Sequence, residues 1–188
     1  MMEFIHSKII FINEATFNVS TRLRERSTGR KTEKQDFRAL MINTFMCCAM
    51  NLNGLIEYQS QLTCFFTNTF NQFVKSAVER LEKTNISEAI IIMDNVYIKK
   101  DSSVKGLIES KGHELIHSPP NSSFLNPVER IYTKWIQSIR AKEIKNEKEL
   151  FKIIDNILSE ISSGGCRYFF EQMLSFLSRC LNCEEIIE

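Results

Sequence analysis

Two carboxylates in this chain stand where an α/β sheet would gather its reactive groups. Asp94 closes the apolar run EAIIIMDN (88–95), and Glu129 follows the stiff stretch HSPPNSSFLNPVER (117–130). A strand that is apolar throughout is buried on both faces, as in the centre of an α/β sheet. In open sheets of that kind, ligands bind where loops leave the carboxyl ends of the strands. The two acids are separated by 34 residues, enough for a helix, a strand and a returning loop. Two carboxylates converging at one edge make an oxygen-rich site suited to Mg²⁺ or Mn²⁺ rather than zinc. A plainer reading stands beside this one. Asn126, Pro127 and Glu129 suit the cap, first and third positions of a helix, from which Glu129 can reach back to the cap. Asp94 would then only begin a turn.

The elements that must position these acids are legible in outline. KIIFIN (8–13) is a short β-rich run ending in the polar pair Asn13-Glu14. A polar stretch, 20–36, follows. MINTFMCCAMNLNGLIEYQ (41–59) reads as two strands joined at the turn 51–54. Residues 67–83 place Phe70, Phe73, Val74, Ala77, Val78 and Leu81 at helical spacing. A helix over about 101–111, with Val104, Leu107 and Ile108 as its stripe, stops at Gly112. HELIHS (113–118) is another strand. From 126 onward the chain is helical, broken near 145–146 and 162–165. Strands first and alternating strands and helices later imply a three-layer α/β fold, with a mixed sheet and one domain over 1–188.

Bulk properties exclude several classes. The chain has 188 residues, 43% apolar and 25% charged, with net charge +1, as expected of a soluble globular protein. No apolar run is long enough to span a bilayer, and the N-terminus lacks a signal-peptide pattern. No membrane partner is expected. Six cysteines are scattered. Only Cys180 and Cys183 have metal-like spacing, and no second pair answers them. A reducing, intracellular setting fits that usage.

The segment IIIMDNVYIKKDSSVKGLIESKGHELIHSPPNSSFLNPVERIYTKW resembles the catalytic core of mariner-type DDE transposases, a group of the DDE superfamily endonucleases. The likeness rests on an Asp-Asn at a strand end, a helix, a G-x-E-L strand, a Pro-Pro loop, LNPxE, and a basic-aromatic helix. FINEATFN is similar to the family's first-acid strand, F-I-D-E, and AMNLNGLIEY to its strand–turn–strand. The resemblance implies an RNase H-like fold with a sheet of about five strands and helices on both faces. It also implies two-ion, Mg²⁺- or Mn²⁺-dependent chemistry on DNA phosphodiesters, and no small-molecule cofactor. DNA is the implied partner, together with a second copy or an intact transposase. A nuclear or nucleoid setting follows if the chain is functional, and an intracellular soluble one otherwise.

Carried over by position, the second and third acids are Asp94 and Glu129, and the first falls on Asn13. An amide brings one neutral oxygen where aspartate brings charge, so affinity for hard ions should fall. Glu14 points to the opposite face of a strand and is not expected to substitute. Lys99 stands where the family has histidine, and Asn121 and Ser123 replace the tyrosine and final proline of its Pro-Pro-Tyr-Ser-Pro loop. With the first strand starting near residue 8, no helix-turn-helix module is expected ahead of it. The implied activity is therefore that of a weakened endonuclease core, or of a domesticated or degenerate nucleic-acid-binding module.

Arg22, Arg24, Arg26, Arg30 and Lys31 form a candidate phosphate-binding strip, or equally a solvated hairpin surface. Lys99 and Lys134 are further candidate DNA contacts, the latter on a helix that also carries Arg140 and Lys142. Trp135 falls within the apolar stripe and is expected in the core. His6, His113 and His117 show no nucleophile or metal spacing.

Overall fold

The computed structural model describes residues 2–24, 37–94, 102–142, 144 and 146–186. After a short helix α1 (Met2–Ser7) come three strands, β1 (Ile9–Arg24), β2 (Phe37–Asn51) and β3 (Gly54–Gln61). Helix α2 (Thr67–Lys83), β4 (Ile90–Met93), α3 (Ser102–Ser110) and β5 (Glu114–His117) alternate after them. A 3-10 turn (Ser123–Leu125) leads into α4 (Val128–Arg140), α5 (Glu147–Ser159) and α6 (Ser163–Leu181). The strands form one mixed sheet in the order β3-β2-β1-β4-β5. β1, β2 and β3 are antiparallel neighbours, whereas β4 and β5 run parallel to β1.

Alternation along the strands divides the core in two. Ile10 and Ile12 of β1, Cys47 and Ala49 of β2, and Ile91 and Met93 of β4 face α2 and α3. Phe11, Met46, Cys48 and Met50 face the opposite layer, α4, α5 and α6. All six residues expected on the buried face of α2 are buried. The helix breaks expected near 146 and 162 are capped starts. Asn146 Oδ1 accepts from Glu149 N at 2.9 Å, and Ser162 Oγ accepts from Gly165 N at 3.2 Å. Gly112, at φ +77°, ends the turn after α3 in the left-handed region that glycine adopts without a Cβ clash.

The first strand differs from its expected extent. Instead of ending at residue 13, β1 continues to Arg24 and pairs with β2, whose start lies at Phe37 rather than 41. Ala15 and Phe17 carry the alternation onward into the core, and Phe17 meets Trp135 edge-on at 4.4 Å. Thr16 between them is exposed, and the strand runs on as backbone into the stretch from residue 20 that reads as polar. All six cysteines are free, and among the described residues no helix is long and apolar enough to cross a membrane.

Candidate active site

Parallel register brings positions 13 and 94 side by side. Phe11 lies opposite Ile92 and Ile12 opposite Met93, so one step further along are Asn13 and Asp94. Phe11 and Ile92 pack toward α4, and a period of two places Asn13 and Asp94 on that same face. Glu129, in the first turn of α4, comes down over it. A cavity of about 310 Å³ opens between the three, walled by Asn126 and the loop 118–123. The structure thus brings Asn13, Asp94 and Glu129 together at the carboxyl end of β4.

Asn13 is only 2% exposed, and both ends of its amide are engaged. Nδ2 donates to Glu129 Oε1, and Oδ1 accepts from Glu14 N at 2.9 Å. A peptide N–H only donates, so the Glu14 N contact fixes Oδ1 as the oxygen and leaves Nδ2 to meet Glu129. Glu129 therefore turns across the cavity to Asn13 rather than back to the start of its helix. That start is closed by Asn126. Its backbone is extended (φ −115°, ψ 107°), Pro127 is already helical, and Asn126 Oδ1 accepts from Val128 N at 3.1 Å. Asn126 Nδ2 is buried with no partner among the described residues.

Tyr132 escaped the sequence reading. It sits three residues after Glu129, so both project from neighbouring turns of α4. Its hydroxyl donates to the Asn13 carbonyl at 2.6 Å and approaches that of Met46 at 3.3 Å. Burial, with the Cys48 and Cys47 thiols nearby, holds the phenol well above its ordinary pKa, so it stays a neutral donor. Helix–strand spacing offered a signal for it, but a tyrosine in an apolar stripe reads first as packing.

The loop carrying Glu129 to the site keeps Pro119 and Pro120 but has Ser123 where the family pattern has a further proline, and other contacts tie it down. Asn121 takes φ +56°, a region asparagine tolerates better than most residues. Phe124 packs on Phe176 of α6 with ring centroids 5.8 Å apart, and the Arg130 guanidinium lies 5.9 Å from the centre of the same Phe176 ring. Of the basic candidates, Lys134 is exposed on α4. Arg22 and Arg24 lie on β1, and Arg26, Arg30, Lys31 and Lys99 fall outside the described residues. Trp135 is fully buried.

The donor set bears directly on metal. Among the described residues, no three His, Cys, Asp or Glu side chains gather to hold an ion. Two carboxylates remain, with an amide that turns its N–H toward one of them. That set does not fit the two-ion, three-carboxylate site the resemblance implies.

Comparison with known proteins identifies the family and the fold. Residues 8–151 match the family described as DDE superfamily endonuclease. The fold is similar to the Mos1 strand transfer complex, with a TM-score of 0.76 and 14% identity over 98% of this chain and 57% of that one. It is similar to the catalytic domain of Mos1 mariner transposase, with a TM-score of 0.74 and 11% identity over 98% of this chain and 86% of that one. The mariner Mos1 paired end complex with Mg also matches, with a TM-score of 0.76 and 12% identity over 96% of this chain and 56% of that one. The chain spans little more than half the length of the Mos1 chain in the strand transfer complex. None of the curated proteins matches it. The five-stranded mixed sheet with helices on both faces is the RNase H-like fold.

Proposed function

Because the chain belongs to the DDE superfamily endonucleases, we propose that it is a transposase-derived core that engages DNA and cuts it weakly or not at all. The observation that carries this is the contact between Asn13 Nδ2 and Glu129, where the family pattern calls for two carboxylates facing across bound cations. Metal ions in sites of this class polarise the phosphodiester and activate the attacking water. Their hold depends on ligand charge, and here two carboxylates stand in place of three. Asp94 and Glu129 are the surviving acids, and Asn13 is the degenerate one.

DNA is the partner this reading assigns. The similar Mos1 structures include a strand transfer complex and a paired-end complex with a transposon end, which favours a nucleic-acid surface around the cavity. Lys134, Lys99 and the strip Arg22, Arg24, Arg26, Arg30 and Lys31 supply candidate phosphate contacts. A second copy, or an intact transposase, is the protein partner that belongs to this reading. The same amide contact also favours a second reading, a module that binds nucleic acid and has lost cleavage altogether.

DNA binding tests the shared part of both readings. Affinity for duplex DNA should fall steeply with salt, because neutralising phosphates releases counterions. It should persist in EDTA and in Glu129→Gln. A flat salt response, or no binding at low salt, contradicts the assignment.

A further inference from the structure

Asn13 is unusually well satisfied for a residue at a metal-ligand position. It is buried, its Nδ2 is committed to Glu129, its Oδ1 to Glu14 N, and its carbonyl to the Tyr132 hydroxyl. Turning the amide oxygen toward an ion would break two of these bonds at once. It would also take this acceptor from the part-buried Glu14 N–H and this donor from the Glu129 carboxylate. A hydrogen bond to an ionised acceptor is among the stronger kinds. From this we infer that Asn13 is a positioning residue which holds Glu129 in place of an ion. The site is thereby organised by a hydrogen bond at the place where the family pattern has a bound ion.

The argument has a physical converse. An aspartate at 13 would set like charge against Glu129, and close carboxylates cannot both ionise comfortably without a counter-ion. Asn13→Asp should therefore make the fold depend on metal, which the parent does not. The inference rests on the reading of Asp94 and Glu129 as the surviving acids, but it concerns ion count and stability, not action on DNA.

Manganese titration of the full chain without DNA, followed by calorimetry and by thermal melting, is the test. The parent should take up no Mn²⁺ stoichiometrically and melt within about 1 °C of the same temperature in EDTA and in manganese, because an ion that bound the folded chain would raise its melting temperature by several degrees. Asn13→Asp should melt lower in EDTA, recover by at least about 2–4 °C with Mn²⁺, and bind two ions. If Asn13→Asp does not fold, Asn13→Ala decides the stability half: it should melt at least about 2–4 °C below the parent in EDTA. Stoichiometric Mn²⁺ binding by the parent, or Asn13→Ala melting with the parent, would each overturn the inference. Failure of the functional reading looks different: an Asn13→Asp chain that binds two ions yet neither holds nor cuts DNA.

Discussion

Asn13 and Glu129 are separated by 116 positions in the chain and meet through a single hydrogen bond. Nothing local in the sequence announces that contact. The helix-start pattern Asn126-Pro127-Val128-Glu129 accounts for Asn126 and Pro127 and misdirects for Glu129, whose carboxylate leaves the cap to Asn126. The replacement of the first acid was legible; the direction of its amide was not, because it depends on which strand and helix lie opposite. Tyr132 belongs to the same scale. Removing its hydroxyl in Tyr132→Phe leaves the Asn13 carbonyl without a buried donor, a loss of about 1–3 kcal/mol. Chemical denaturation should show it as a lower midpoint at unchanged slope. An unchanged midpoint would mean that the hydroxyl does not hold Asn13.

Elements, more than single residues, decide where the acids stand. β4 has only four residues and its end falls beside Ile12, the fourth residue of β1; the buried apolar run closed by Asp94 was legible as a strand end. β1 itself was underestimated, since Ala15 and Phe17 share the core face with polar neighbours between them. The loop after β5 is held by Phe124 on Phe176, from a helix outside the matched family region 8–151. Phe176→Ala should expose residues 118–125 to limited proteolysis severalfold faster, whereas the exposed Tyr168→Ala should not; equal rates would contradict the clasp. At the opposite end of the sheet, buried His113 accepts from Ala89 N through Nδ1. Burial lowers its pKa below the ordinary value. The unfolded chain then takes up the proton first, so this group contributes stability above pH of about 6.5 that is lost as pH falls below it. His113→Asn, which keeps an acceptor for Ala89 N, should flatten the fall in melting temperature as pH drops below about 6.5; an unchanged slope would assign it elsewhere.

For the molecule as a whole, two cores on either side of one sheet hold the site between layers. α4 links them to function, since its buried face carries Val128, Ile131, Tyr132, Trp135 and Ile139 while its first turn presents Glu129. Trp135→Ala should cost about 3–5 kcal/mol and displace Glu129 along with the helix. A stability within 1 kcal/mol of the parent would show that this layer is not what positions it. Fold class was legible because strand-then-helix order and apolar periodicity are written locally. The chemistry was only half legible, since it depends on a long-range meeting of side chains. Net charge of +1 shows that attraction to DNA, if it operates, is local rather than global. The most direct test of the account is nicking of supercoiled plasmid in Mg²⁺ or Mn²⁺ by the parent, Asn13→Asp and Asn13→Asp/Glu129→Gln. The account predicts little or no cutting by the parent, a gain of at least about tenfold (about 1.4 kcal/mol of barrier) in Asn13→Asp, and its loss in the double variant. Cutting by the parent that disappears in Glu129→Gln, or a folded Asn13→Asp chain that stays silent, would contradict it.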